Sequence, residues 1–279
     1  MSKKIAIIND ISGYGRCSTS VILPIVSHLG VQGCALPTAV FSNHTGFPSF
    51  FCKDFTEFMP AYIEEWKKLD LHFDGIMTGF LGSARQISIV EEFIQQFRTE
   101  DTHVLVDPVM GDNGRIYPTY TEKLCRDMRR LIAYADIITP NLTEACFLTG
   151  TRYHESGWRR PELESLSRKL LHMGARRLVI TGIKMGNGSI GNVIASQDSD
   201  EVIYQRQLQV EQTRSGTGDV FASILGADAV NGVDFADSCR RASRFVRNCL
   251  IETIHSESAH NTGIDFESQL DKLKREGLS

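Results

Sequence analysis

The chain has 279 residues, 42% of them apolar and 23% charged, with 23 Gly, 8 Pro and a formal net charge of −4, the balance of a globular protein able to bury roughly three quarters of its unfolded surface. Thirty basic against 34 acidic residues leave no basic excess to displace the counterions of a nucleic acid, and the pairs Arg129-Arg130, Arg159-Arg160 and Arg240-Arg241 read as solvated helix faces. No run approaches the ~18 apolar residues of a membrane span, and Met1-Ser2-Lys3-Lys4 reaches Asn9-Asp10 too soon for a signal-peptide core, so a cytoplasmic protein without nucleic-acid or membrane partners is expected.

Along the chain, short β-branched runs alternate with stretches of helical period, the pattern of a parallel sheet with crossover helices. Strands are expected at Lys4–Ile8, Gly33–Phe41, Gly75–Thr78, His103–Asp107, Asp136–Thr139 and Arg177–Thr181. The first helix, Ser18–Leu29, contains Pro24, which should kink it or shift its start. Helices are also expected at Thr56–Leu69, where Phe58, Tyr62, Trp66 and Leu69 recur at helical spacing, and at Arg85–Phe97 through Ile87, Val90, Phe93, Ile94 and Phe97; these side chains read as core. Gly186–Ala195 and Glu201–Leu208 read as an antiparallel hairpin about Ser196–Asp200, and helices resume from Gly218 to the end. No flexible linker or repeat divides the chain, so a single domain spanning 1–279 is expected.

The seven cysteines, Cys17, Cys34, Cys52, Cys125, Cys146, Cys239 and Cys249, are odd in number and scattered, which fits reduced thiols and excludes zinc-ligand spacing. Asn43, Asn141 and Asn187 open glycosylation sequons that have no consequence without secretion. Gly186-Asn187-Gly188-Ser189-Ile190-Gly191 spells a dinucleotide fingerprint but runs into a strand, not a helix, and reads as a turn. No Gly-Lys dipeptide occurs, which excludes a Walker A loop.

Chemistry concentrates elsewhere. In Gly216-Thr217-Gly218-Asp219 two glycines let the backbone aim its N–H groups at one point where a helix begins, a ready anion site. Asp219 falls in the first helical turn, beside any phosphate held there or as a capping carboxylate. Asp107-Pro108-Val109-Met110-Gly111-Asp112 follows one strand, and Asn141 and Glu144 of Thr139-Pro140-Asn141-Leu142-Thr143-Glu144 follow the next. They are either separate helix caps or polar groups converging on the carboxyl edge of the sheet, where ligands bind, a set that suits Mg²⁺.

Together these three segments resemble the ribokinase-like superfamily and its vitamin-kinase branch. Val40-Phe41-Ser42-Asn43-His44-Thr45-Gly46 and Gly79-Phe80-Leu81-Gly82-Ser83 resemble the pyridoxal kinases, and the likeness runs from about Ile5 to Cys249. It implies a three-layer α/β fold, a central mostly parallel sheet flanked by helices with an antiparallel hairpin at one edge. It further implies ATP and Mg²⁺ as cofactors, leaving a monovalent cation (K⁺) open, and a homodimer. On this likeness Asp219 takes the proton of a substrate hydroxymethyl group, and the N–H groups of Gly216, Thr217 and Gly218 stabilise the transferring phosphoryl group. Asp107, Asp112 and Glu144 organise metal and ATP phosphates, with Asn141, Thr181 and Gly182 as further nucleotide contacts. Phe41 and Phe80 offer apolar faces to a pyridine, Thr45 a hydroxyl to its edge, and His44 a further contact.

Asp10, in Asp10-Ile11-Ser12-Gly13, departs from the pyridoxal kinases and resembles the phosphomethylpyrimidine kinases of thiamine synthesis. With Ser12 beside it, this carboxylate either pairs with a protonated ring nitrogen or exocyclic amine or caps the helix that follows. The expected activity is ATP-dependent phosphorylation of the 5-hydroxymethyl group of a vitamin B6 vitamer: pyridoxamine, pyridoxal or pyridoxine. A hydroxymethylpyrimidine or phosphomethylpyrimidine kinase and a non-catalytic vitamer sensor are the alternatives.

Overall fold

Apolar runs become strands and periodic stretches become helices in a computed structural model that describes residues 2–210, 212–256 and 260–275. In chain order the elements are β1 (Lys4–Ser12), α1 (Thr19–His28), β2 (Gln32–Phe41), β3 (Cys52–Asp54), α2 (Met59–Lys68), β4 (Gly75–Thr78), α3 (Ala84–Phe97) and β5 (His103–Val106). Then come β6 (Gly111–Asp112), β7 (Arg115–Ile116), α4 (Glu122–Asp127), α5 (Arg129–Ile132), β8 (Ile137–Ile138), α6 (Leu142–Thr149) and α7 (Arg160–His172). The chain closes with β9 (Arg177–Gly186), β10 (Ser189–Ser196), β11 (Ser199–Leu208), α8 (Thr217–Asn231), α9 (Phe235–His255) and α10 (Leu270–Arg275). The fold is mixed α/β with a large, mostly parallel sheet, and its residues group into two compact units.

The first unit takes residues 1–79, 97–103 and 210–279. Its strands run β4-β1-β2-β3, with β1 parallel to both neighbours (Ile5 opposite Gly33 and Gly75) and β3 antiparallel at the edge (Phe41 opposite Cys52). Ile5, Ala6, Ile7 and Ile8 are all buried, as a strand covered on both faces requires, which is why β1 reads as a continuous apolar run. Helix α8 is apolar all round, with Val220, Phe221, Ala222, Ile224 and Leu225 buried, and packs against α1, α9 and β4. Asp228 of α8 is buried against Arg241 and Ser238 of α9; the Ser238 hydroxyl donates to it at 2.7 Å.

The second unit takes residues 80–96 and 104–209. Here β5, β8 and β9 are parallel, and β9, β10 and β11 are antiparallel toward the edge, the expected hairpin side. Among the described residues no helix is long and apolar enough to cross a membrane.

Several boundaries differ from expectation for local physical reasons. Strand β1 runs on to Ser12 because Asn9 to Ser12 keep pairing with β2, where a bulge sets Thr38 and Ala39 opposite Asp10. Strand β9 continues to Gly186 and turns into β10 through Asn187 and Gly188, at φ 50° and 63°, a type I′ hairpin turn. The false fingerprint is therefore this turn, and the next one narrows to residues 197–198. Helix α2 begins at Met59 with Pro60 in its first turn, and Pro24 lies inside α1, which starts at Thr19. Helices do resume after Gly216, but residues 276–279 lie outside the described part.

Candidate active site

In the first unit the site begins where α8 begins. Gly216 stands at φ 85°, and a Cβ there would lie 2.3 Å from the Arg16 carbonyl oxygen, so only glycine fits. The first helical bond runs from Val220 N–H to the Gly216 carbonyl at 2.9 Å, which leaves the earlier N–H groups of the turn without acceptors inside the helix. Nothing lies within 4 Å of the point where a Cβ on Gly218 would stand, so the approach to those donors is open. Asp219 is half-buried in this turn, and its Oδ2 accepts the Ser18 N–H at 2.8 Å.

Asp10 and Ser12 occupy the end of β1, 4% and 2% exposed. Ser12 Oγ donates to Asp10 Oδ2 at 3.2 Å, with the Ser18 side chain close by. Burial pushes the Asp10 carboxyl up, and these two serines with the nearby His44 pull it partly back. Because Asp10 lies in a strand and Ser18 is the N-cap of α1, the helix-capping alternative for Asp10 does not hold. Phe41, buried at the end of β2 opposite Ser12, leans on Phe50 at 5.8 Å.

His44 is engaged at both ring nitrogens. Nδ1 accepts the Gly46 N–H at 3.1 Å, so Nε2 carries the proton and donates to the Asn261 carbonyl at 2.8 Å. It ties its own turn to Asn261, while Thr45 beside it is exposed. One neighbour escaped sequence reasoning, which gave no cysteine a place in the site. Burial and the Asp219 charge push the Cys17 thiol up to about 12, with Ser12 and Asp10 also close by. It therefore stays protonated and unreactive at neutral pH.

In the second unit Asp107 directly follows β5 and accepts the Thr139 hydroxyl at 2.8 Å. Asn141 caps α6 in a reciprocal box: its Oδ1 accepts Glu144 N–H at 3.0 Å, and Glu144 Oε2 accepts Asn141 N–H at 2.8 Å. Glu144 Oε1 also accepts Met110 N–H at 3.0 Å, and Asn141 Nδ2 donates to the Gly111 carbonyl at 2.8 Å. Asn141 and Glu144 are thus caps that also draw in the Asp107–Asp112 loop. Thr181 and Gly182 form a bulge in β9 opposite Asn192, with Gly182 at φ 75°. Phe80 meets Tyr120 edge to face at 5.8 Å.

Burial pushes Asp107 up to about 6, and burial with the neighbouring Asp107 charge pushes Glu144 well above the usual carboxylate range. The charges that act on Glu144 are those of Asp107 and Asp112. Two buried carboxyls, the charge of one acting on the other, are a donor set that fits a hydrated Mg²⁺, which needs only one or two carboxylates besides substrate phosphates. Asp112 stands at the surface of the β6–β7 hairpin, bonded to Asn113. Among the described residues no group of three His, Cys, Asp or Glu side chains is arranged to hold a metal.

A family model described as phosphomethylpyrimidine kinase matches residues 23–263. The chain belongs to this family. It is therefore a phosphotransferase, and the ribokinase-like α/β fold expected from its motifs is the fold it has. A Bacteroides thetaiotaomicron protein provisionally described as a phosphomethylpyrimidine kinase, crystallised in a form with pyridoxal, is 38% identical over 98% of this chain and 96% of its own, with a TM-score of 0.94. The pyridoxine/pyridoxal/pyridoxamine kinase of Bordetella avium is 29% identical over 88% of this chain and 84% of its own. Pyridoxal kinase of Lactobacillus plantarum is 27% identical, with a TM-score of 0.89 over 99% of this chain and 97% of its own. Relatives of this phosphomethylpyrimidine kinase family thus include enzymes named for B6 vitamers.

Proposed function

We propose that the chain transfers the γ-phosphoryl group of ATP to the 5-hydroxymethyl group of a vitamin B6 vitamer, acting as one kinase domain over residues 1–279. The observation that carries this reading is the 38% identical relative crystallised with pyridoxal. Asp219 is the base, held by Ser18 N–H at 2.8 Å, and the turn from Gly216 to Gly218 offers its N–H groups to the transferring phosphoryl group. Phosphoryl transfer asks a protein mainly for positioning and electrostatics, which such a set supplies. Phe41 and Phe80 are assigned to the faces of the pyridine, Ser12 and Thr45 to its polar edge, and Asp10 to a protonated ring nitrogen or an exocyclic amine. Asp107 and Glu144 would hold Mg²⁺, which when bound neutralises phosphate charge, and Asp112, Asn141, Thr181 and Gly182 line the nucleotide. The resemblance to B6 kinases extends the reading to a cytoplasmic homodimer, with K⁺ as a variable to test.

The test incubates the protein with ATP, Mg²⁺ and, in parallel, pyridoxal, pyridoxamine, pyridoxine and hydroxymethylpyrimidine, and identifies products by mass. A phosphorylated pyridine is expected. Phosphorylation of the pyrimidine alone would place the enzyme in thiamine synthesis, and no ATP consumption with any of them would favour a sensor. Asp219→Asn should keep vitamer binding and lower kcat by about 10²–10⁴, the loss of a general base.

A further inference from the structure

Residues 261–267 bond to three loops of the first unit that lie far apart in the chain. The Asn261 carbonyl accepts His44 Nε2–H at 2.8 Å, the Thr262 carbonyl accepts Arg16 N–H at 3.0 Å, and Ile264 N–H is donated to the Ser215 carbonyl at 3.0 Å. The first bond reaches the turn that carries Thr45, and the last reaches the residue before Gly216. Ser215 Oγ also lies 3.3 Å from His44 Nε2, so the turn assigned to the vitamer and the turn assigned to the phosphoryl group meet on this segment.

Ile264 and Phe266 anchor the segment in the core at 0% and 2% exposure, and Asp265 N–H is donated to Thr253 Oγ1 of α9 at 2.8 Å. Toward the site the segment is held by Arg16, whose Nη2 pairs with Asp265 and whose Nε pairs with Glu267, both at 2.8 Å. Two carboxylates taken by one fork suit a guanidinium and not an ammonium. The Arg16 backbone is enclosed as well: a Cβ on Gly216 or on Gly263 would lie 2.3 or 2.6 Å from the same Arg16 carbonyl oxygen. With no side chain between these three backbones, a shift of Arg16 is also a shift of the anion turn.

We propose that Arg16 is a positioning residue for both halves of the site: through Asp265 and Glu267 it holds residues 261–267, and through them the anion turn at Ser215 and the vitamer turn at His44. The inference rests on the B6-kinase reading above. In the full-length protein Arg16→Met removes the guanidinium and keeps the backbone bonds. Partly exposed ion pairs add little stability, so Tm should stay within about 5 °C of wild type. Transfer is more sensitive to small displacements, so kcat should fall about 10- to 100-fold, and KM for pyridoxamine should rise about threefold as the His44 turn loosens. The Ile264 amide should exchange with deuterium about tenfold faster. Arg16→Lys, which engages one carboxylate at a time, should recover part of kcat. In a chain already carrying Asp265→Asn and Glu267→Gln, Arg16→Met should lower kcat no further. Glu267→Gln alone alters an exposed side chain; it should give a smaller loss in the same direction and carries the test if Arg16→Met does not fold.

An unchanged kcat in Arg16→Met, an Ile264 amide that exchanges at the wild-type rate, or an undiminished effect once Asp265 and Glu267 have been replaced would overturn the proposal. A wild-type protein that turns over no vitamer would count against the kinase reading instead. Exchange at Ile264 needs no turnover and would then decide whether Arg16 holds the segment, and pyridoxal affinity of the same variants, read from its absorbance, whether the segment holds the vitamer turn.

Discussion

Asp107 shows how a buried carboxyl sets a pH dependence. Its pKa is raised from 3.8 to about 6 by burial, so between those values the folded protein binds a proton that the unfolded chain has released. Stability therefore falls as pH rises through this window. The cost of the buried charge is fully present above about pH 6 and gone below about pH 4. Asparagine keeps an oxygen for the Thr139 hydroxyl and removes the charge. Asp107→Asn should therefore raise Tm at pH 8 by a few degrees, for a relieved cost on the order of 1–3 kcal/mol, and the gap over wild type should close toward pH 4. Thermal melts across that range check it; a gap of constant size would mean that the charge is not its source. The same variant should lose Mg²⁺-dependent turnover.

The two glycines that open α8 belong to one motif but do different work. At Gly216, with φ 85° and the Arg16 carbonyl 2.3 Å from a would-be Cβ, alanine must strain the backbone and displace Arg16; Gly216→Ala should cost about 1–3 kcal/mol. At Gly218 there is open space, and alanine suits a helix better than glycine by ~1 kcal/mol. Gly218→Ala should thus keep or raise Tm while its methyl group obstructs the N–H donors, lowering kcat/KM about tenfold or more, as for loss of a hydrogen bond to a charged group. Comparing Tm with kcat/KM in both variants separates scaffold from site; a Gly218→Ala enzyme of normal activity would remove the anion-binding role. This motif was legible because a glycine pair before an apolar run is a local signal. So were β4, β1 as far as Ile8, and α3, whose periodicity follows from burial. Asn9 to Ser12 were not read as strand because polar residues buried by tertiary pairing look like a loop. Strand β3 and the β6–β7 hairpin are too short for any period to show. Ser18 and Cys17 were missed because their place depends on a backbone conformation and on the approach of Asp219, some 200 residues away in the chain.

Across the whole chain, neither unit is a continuous stretch: the backbone passes between them after residues 79, 96, 103 and 209. Neither set of elements can be completed until the chain has returned to it, which favours a single cooperative unfolding step. A probe buried within one unit can test this. Asp228 is 1% exposed and pairs with Arg241, whose side chain is 11% exposed. Removing the carboxylate takes the Asp228 charge from that largely buried guanidinium and the acceptor from Ser238, at a cost of about 3 kcal/mol. Removing both charges is far less costly, because two desolvation penalties disappear with the attraction. Asp228→Ala should therefore lower Tm by roughly 10 °C, and adding Arg241→Met should recover much of the loss. By calorimetry the variant should show one transition moved as a whole, with equal calorimetric and van't Hoff enthalpies. Two transitions, of which Asp228→Ala moves only one, would show instead that α8 and α9 stabilise the first unit alone and that the interleaved chain does not enforce cooperativity.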